Sequence, residues 1–359
     1  MKNKLVENVN PYKPSDRKTF REVDLFLDWN ESDLNWNKLS AKLTHFIKSS
    51  TLNRYPELNN KSEIRLLQQY VNCRCSIDLY PGSDNAHEYI LRAFGKKDSS
   101  LLLLDPGYSN FKVSAQSLGF KIKTISLNSK SISNFNILFE RLINLVKIPD
   151  FFYIINPHSP TGNVLTKKQI ELLLQKFSKS FFIIDEAYVD FNLSFSSASL
   201  VSKYSNIIIT RSFSKAFSLA GSRIGFSITN TANSRHLKKI INTKHVTDIS
   251  KSIITHTLEN IEDLNNHILK IKENVHKIHD LFKKNNLAKL DNFHTNFYFV
   301  LFSKKLERDR LFKHYLKNRI LIRKIDFLTN NYSGLRITIP SNKVSFRKLL
   351  DVSKKYKFK

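Results

Sequence analysis

One stretch, Thr210-Arg211-Ser212-Phe213-Ser214-Lys215-Ala216-Phe217-Ser218-Leu219-Ala220-Gly221-Ser222-Arg223-Ile224-Gly225, sets a single lysine among serines, with an arginine eight residues further on. Hydroxyls and a guanidinium converging at a strand end make a site for a phosphate group. A partly desolvated lysine beside them is an amine nucleophile toward a carbonyl. Upstream, Phe181-Phe182-Ile183-Ile184-Asp185-Glu186-Ala187-Tyr188 reads as a buried strand that delivers Asp185 to its carboxyl end. A carboxylate there can pair with a protonated pyridine nitrogen and hold it cationic. A third stretch, Ile155-Asn156-Pro157-His158-Ser159-Pro160-Thr161-Gly162-Asn163, is a Pro-bracketed turn after another apolar strand. Taken singly, each has a plain explanation: a solvated lysine in a polar loop, an Asp capping a helix, and a turn.

These residues need strands to carry them to a common edge. Candidate strands are Ser76–Tyr80, Ser99–Leu104, Phe120–Ile125, Phe151–Ile155, Phe181–Asp185, Asn206–Arg211 and Arg223–Ile228. Amphipathic stretches at Asn85–Phe94, Ser109–Leu118, Phe135–Val146 and Thr166–Phe177 lie between them. Such alternation predicts an α/β fold with a mostly parallel central sheet covered by helices on both faces. Ligands of such sheets bind at the carboxyl ends of the strands. After residue 230 the pattern changes to a long helical region running to about Asn286, broken near Thr247–Ser250. It continues with a strand at Phe297–Phe302, a helix near Leu306–Leu316, strands at Ile320–Arg323 and Leu335–Ile339, and a helix from about Ser341. The expected division is an N-terminal arm and part of a small domain at 1–45, a large domain at 46–245 and a small α+β domain at 246–359. Glycine is rare, eight residues in 359, and Gly82, Gly107, Gly162, Gly221 and Gly225 all fall within segments that concern the site. Positions that keep glycine in so depleted a chain have a backbone reason to do so.

Together, and in this order, the three segments resemble fold-type I pyridoxal 5′-phosphate (PLP) enzymes of the class I/II aminotransferase group, most closely its histidinol-phosphate aminotransferase branch. The resemblance runs from about Asn30 to Ile339, and three ordered motifs are far more specific than any one of them. It implies Lys215 as the Schiff-base lysine and proton carrier, Asp185 as the partner of the pyridine nitrogen, and Tyr188 as a hydrogen-bond donor to the ring's phenolic oxygen. Ser212, Ser214 and Arg223 would hold the cofactor phosphate. Gly82-Ser83-Asp84-Asn85-Ala86 resembles the family's phosphate loop, with the N–H groups of Ser83 and Asp84 at a helix N-terminus. Pro106-Gly107-Tyr108 matches a turn whose aromatic ring stacks on the cofactor. Arg54-Tyr55-Pro56 matches a segment whose tyrosine reaches the neighbouring subunit's phosphate, which implies a homodimer with shared active sites.

Leu335-Arg336-Ile337-Thr338 resembles the strand whose arginine binds the substrate's anionic group, and Ile322-Arg323 a second anion contact. Asn296-Phe297 matches a pair near the family's site. The chain departs from the family in three places. Ser159 stands where an asparagine usually donates to the cofactor's phenolic oxygen, which leaves open how the lysine linkage is tuned. Asn30-Glu31-Ser32-Asp33 lacks the usual final Asn-Pro, although Asn30 is still expected beside substrate. Lys244-His245-Val246-Thr247-Asp248 replaces a P-F/Y-N-V-N stretch.

The formal charge of +27 invites a nucleic-acid partner. Its basic residues are spread along the whole chain and no nucleic-acid motif accompanies them, so none is expected. Cys73 and Cys75, one residue apart, read as reduced thiols, and no metal site is expected. No apolar run reaches membrane-spanning length, and Met1–Glu7 lacks a signal-peptide core, so a cytoplasmic location off the membrane is expected. The expected reaction is PLP-dependent transfer of an amino group between an amino acid or phosphorylated amine (histidinol-phosphate-like) and a 2-oxo acid such as 2-oxoglutarate. A decarboxylase resembling threonine-phosphate decarboxylase would share the same motifs, and a DNA-binding protein on a retained PLP fold is the remaining alternative.

Overall fold

Short runs of five or six residues form the seven strands of the central sheet, apolar in its middle and mixed at the edge, where Lys121–Ser126 lies largely open. The computed structural model describes residues 4–7, 9–11, 16–49, 52–284, 293–327 and 332–356. The expectations touching residues 1–3 and Asn286 lie outside them. In chain order the strands are β1 (Leu25–Leu27), β2 (Ser76–Tyr80), β3 (Ser100–Asp105), β4 (Lys121–Ser126), β5 (Phe151–Ile155), β6 (Phe181–Asp185), β7 (Ile207–Ser212), β8 (Gly225–Thr229), β9 (Phe297–Phe302), β10 (Ile320–Asp326) and β11 (Ser333–Thr338).

The large sheet has the order β2-β8-β7-β6-β5-β3-β4. Its pairs from β7 through β4 are parallel, and β8 alone runs against its neighbours. Strand parity splits the core in two. Phe152, Ile154, Phe182, Ile184 and Ile209 pack on one face, and Phe151, Ile155, Ile183 and Ile208 on the other. Burial on both faces is why β5, β6 and β7 read as continuous apolar runs rather than alternating ones. The sheet is therefore a mostly parallel α/β sheet in the expected place.

Local side chains fix the helix ends. Thr166 and Gln169 form a reciprocal capping box for the helix Lys167–Lys176. The helical region after residue 230 breaks differently from expectation. Short helix Thr231–Leu237 ends well before Thr247, which caps Asp248–Glu259, and a second break at Asn260 precedes Ile261–Lys284. Here the Thr247 hydroxyl starts a helix by accepting from Ser250 N. The last helix begins at Lys343, where the Asn342 side chain caps it by accepting from Val344 N and Ser345 N, while Asp33 takes the N–H groups of Ser341 and Asn342.

The second sheet has the order β1-β10-β11-β9, with β1 parallel to β10 and the other pairs antiparallel. Strand β1, in the segment read as an arm, has only three residues and is a strand because Leu25–Leu27 pair with Ile320–Ile322. Directly after it, residues 28–36 cross to the large sheet. Asn30 N donates to Thr338 Oγ1, Leu34 N to Ser218 Oγ and Trp36 Nε1 to the Phe217 carbonyl. That segment ties the two sheets together over the strand ends. No helix among the described residues is long and apolar enough to cross a membrane.

Candidate active site

At the carboxyl edge of the parallel strands, beneath residues 28–36, lies a cavity of about 560 Å³. One end of it is built for an anion. The helix Ser83–Phe94 points its N-terminus inward, where the first N–H groups have no partner within the helix. Arg223, in the left-handed region at φ 48°, brings its guanidinium beside that helix end, and Nη2 lies 3.2 Å from Asp84 Oδ2. Ser212 and Ser214 line the same wall, and Ser214 N donates to Ser212 Oγ at 3.0 Å.

Two glycines make this approach possible. A Cβ on Gly225 would lie 2.4 Å from Ser83 N, and one on Gly82 would lie 2.6 Å from Arg223 Nη2. Tyr108, on the opposite lip, donates its hydroxyl to Asp84 Oδ1 at 2.7 Å. Burial raises the Asp84 carboxyl, but the Tyr108 hydrogen bond and the Arg223 charge outweigh it and hold the group below its ordinary range.

The other end holds a carboxylate. Asp185 terminates β6, is buried, and accepts from Ala187 N through Oδ1. Beneath it a buried ion pair joins Arg211 to Glu186 at 2.9 Å, and Tyr70 hydrogen-bonds Asp190 at 2.7 Å. These contacts anchor the ends of β6 and β7 to the helix Lys61–Val71. Lys215 reaches the cavity from the turn after β7, and its Nζ donates to the Trp29 carbonyl at 3.0 Å. Nζ is also 5.8 Å from the centre of the Tyr188 ring. Burial pushes the Tyr188 phenol up, yet the Lys215 and Arg336 charges and hydrogen bonds with Asn30 and Ser159 bring it below its ordinary value.

The second sheet contributes two arginines to the cavity. Arg323 and Arg336 face each other in the β10–β11 register and both line the cavity. Directly opposed residues of an antiparallel pair project from the same face. Arg336 donates to Ser159 Oγ at 3.0 Å and to the Asp28 carbonyl at 2.8 Å.

Lys215, Asp185, Tyr188, the anion-cradle residues, Tyr108, Ser159 and both arginines line this one cavity, whereas Asn30, Tyr55 and Asn296 do not. Asn30 is fully buried behind Tyr188 and donates its side-chain amide to the phenolic oxygen at 2.9 Å. Tyr55 is 77% exposed, with its ring beneath Lys244, and is not brought to this chain's cavity. Asn296 lies one layer back, donating to the Asn30 carbonyl and to Ser32 Oγ.

Sequence reasoning missed Tyr153 and His87, which lie against Asp185. The Tyr153 hydroxyl donates to Asp185 Oδ2 at 2.5 Å, and His87 Nε2 lies 3.7 Å from the same oxygen. Tyr153 sits inside the apolar run of β5 and His87 on the inner face of a helix, so both read as core. Strand parity was the available signal: Tyr153 and Ile155 share a face, and Ile155 pairs with Asp185.

The family model for aminotransferase class I and II matches residues 26–351. Among curated proteins, the dihydroxyacetone phosphate transaminase of Campylobacter jejuni is 32% identical over 74% of this chain and 73% of its own length. A histidinol-phosphate aminotransferase of Buchnera aphidicola is 30% identical over 98% of this chain and 96% of its own. Among solved structures, the histidinol-phosphate aminotransferase of Sinorhizobium meliloti in complex with PLP superposes with a TM-score of 0.83 at 18% identity, covering 98% of this chain and 96% of that one. The L-threonine-O-3-phosphate decarboxylase of Porphyromonas gingivalis shares the fold at a TM-score of 0.72 and 19% identity, covering 91% and 98%.

Proposed function

The chain belongs to the class I and II aminotransferases, PLP-dependent enzymes of fold type I, and on that premise we propose that it transfers an amino group between a phosphorylated amino compound and a 2-oxo acid such as 2-oxoglutarate. The observation that carries this reading is the facing pair Arg323 and Arg336 at the mouth of the cavity that holds Lys215. Two arginines on one face of a strand pair suit a phosphate dianion better than a neutral side chain. The names of the two curated relatives, dihydroxyacetone phosphate transaminase and histidinol-phosphate aminotransferase, share a phosphate group, which supports the same class.

The donor set suits the cofactor, with an anion cradle that a Cβ at Gly82 or Gly225 would fill, and a buried carboxylate elsewhere in the same cavity. In this reading Ser83 and Asp84 N–H, Ser212, Ser214 and Arg223 hold the cofactor phosphate. Tyr108 would cover the ring, and Asp185 would pair with the ring nitrogen. Bound PLP supplies the carbon that accepts and returns the amino group and an electron sink for the bonds at the substrate's α-carbon. Lys215 would carry the cofactor, and its Nζ is placed to hold and move the substrate's α-proton. The hydrogen bond from Nζ to the Trp29 carbonyl gives the free amine a resting place on the segment above.

Tyr188 would donate to the cofactor's phenolic oxygen, with Asn30 holding the Tyr188 hydroxyl from behind. Ser159, in the place of the usual asparagine, accepts from Arg336. Arg336 anchors the substrate anion, with Arg323 beside it. Tyr55, exposed on its own chain, serves the cofactor phosphate of a second copy, so the working unit is a homodimer. The same proposal takes 46–245 as the large domain, 246–359 as the small one and 1–45 as the arm, a division supported by the two separate sheets.

The test is steady-state transamination by the PLP-loaded protein with 2-oxoglutarate, comparing histidinol phosphate with histidinol. The proposal expects the phosphorylated amine to be preferred in kcat/KM by about 100-fold or more, the scale of two lost charge-assisted bonds, and Arg323→Gln to cut that preference by about 10-fold. Carbon dioxide release without keto-acid turnover, or equal use of both amines, would overturn it.

A further inference from the structure

Asp185 is held by more than the strand that carries it. Its Oδ2 accepts from the Tyr153 hydroxyl at 2.5 Å, and its Oδ1 from Ala187 N at 3.0 Å. His87 Nε2 stands 3.7 Å from Oδ2 while sharing a 2.9 Å hydrogen bond with Thr210 Oγ1. All three side chains are buried.

Rings fix the two neighbours in place. Tyr153 lies flat on Phe111, its plane 6° from parallel, and His87 meets both rings edge-on at 84° and 85°. Neither can turn away from Asp185 without breaking this stack. His87 also lies one helical turn beyond Ser83, so one helix serves both the anion cradle and the carboxylate.

The charge pattern is one-directional. Burial, reinforced by the Asp185 charge, keeps the Tyr153 phenol protonated, so it can only donate to the carboxylate. Burial also pushes the His87 imidazole down against the pull of Asp185 and Asp84, so the ring stays neutral. Asp84 and Tyr108 are the other titratable groups acting on this pair, with Lys215 in the same cavity. A hydroxyl donor on one oxygen stabilises the carboxylate and locks its rotamer, while a neutral imidazole adds no competing positive charge.

We propose that Tyr153 and His87 are positioning residues that hold the Asp185 side chain oriented toward the ring nitrogen of the bound cofactor. The proposal rests on the reading of Asp185 given above. Without Tyr153's donor, Asp185 would be freer to rotate, its pairing with the ring nitrogen would weaken, and the ring would withdraw fewer electrons from the nitrogen of Lys215.

The experiment compares the holoenzyme with Tyr153→Phe, His87→Gln and Asp185→Asn by two readouts: the dissociation constant for PLP, and the pH midpoint of the bound cofactor's visible band. Phenylalanine keeps the ring on Phe111. Tyr153→Phe is expected to weaken PLP binding about 10-fold, the worth of one charge-assisted hydrogen bond, and to raise the midpoint by about half a unit or more. His87→Gln is expected to move both in the same direction and by less. If Asp185→Asn moves both readouts while Tyr153→Phe and His87→Gln leave them at wild-type values, the positioning role is overturned and the assignment of Asp185 stands. An Asp185→Asn variant with wild-type values on both readouts overturns the assignment itself.

Discussion

Arg336 and Ser159 are joined by a 3.0 Å hydrogen bond that ties the second sheet to the Pro-bracketed turn of the large one. The same guanidinium donates to the Asp28 carbonyl at 2.8 Å, so the proposed substrate anchor is aimed by both structures that bound the cavity mouth. Ser159→Ala removes the first of these aims and leaves the charge. The expected result is a KM for the anionic substrate raised about 5-fold, one neutral-acceptor bond's worth, with kcat changed little. Steady-state kinetics check it, and a fall in kcat at constant KM would contradict the role.

Gly225 sets how closely β8 approaches the anion cradle. In Gly225→Ala the new Cβ would lie 2.4 Å from Ser83 N and 2.5 Å from the Gly82 carbonyl carbon, both backbone atoms. The cradle must open. PLP affinity is expected to fall by about 10-fold or more, with overpacking costing roughly 1–3 kcal/mol in stability. Cofactor titration and denaturant unfolding read the two effects, and wild-type affinity would show that the close approach does not shape the cradle.

Arg17 clamps the segment above Lys215. Its Nη2 reaches Asp28 Oδ1 at 2.7 Å and Glu31 Oε2 at 2.6 Å, and its guanidinium lies 4.1 Å from the Trp29 ring centre. Arg17→Gln is expected to cost about 1–2 kcal/mol, the lower part of the charged hydrogen-bond range because Arg17 is a quarter exposed. It should also speed proteolysis between residues 17 and 36. An unchanged cleavage rate would mean that the other hydrogen bonds of the segment suffice.

Acid should weaken the fold through His158. Burial pushes its imidazole down to about 3 from an ordinary 6.5, so the folded chain keeps the ring neutral while the unfolded chain protonates it. That contribution is whole above pH 6.5, and it is lost progressively as pH falls from there toward 3. By pH 5 the loss is about 2 kcal/mol at roughly 1.4 kcal/mol per unit. Denaturant unfolding at pH 7.5 and 5 should show a smaller drop for His158→Asn than for wild type. Equal drops would place the acid sensitivity elsewhere.

Much of this was legible in the residues, for physical reasons that differ by element. Phe151–Ile155 and Phe181–Asp185 announce themselves because strands buried on both faces must be apolar throughout. Leu25–Leu27 does not, since three residues carry no period and become a strand only by pairing with β10. Lys215, Asp185 and Arg223 stood out because a lone lysine, a terminal carboxylate and a turn arginine are conspicuous among apolar strands. Tyr153 and His87 did not, because a buried ring inside an apolar pattern looks like core until register puts it beside a carboxylate. The departure at Ser159 was visible, but its partner Arg336 lies 177 residues away and only the fold brings them together.

The central claim is that Lys215 carries the cofactor. Borohydride reduction of the PLP-loaded protein, followed by digestion and peptide mass mapping, tests it most directly. The account predicts a cofactor-sized mass increment on the peptide containing Lys215, absent in Lys215→Ala. An increment fixed to another lysine, or no increment after saturation with PLP, would contradict it.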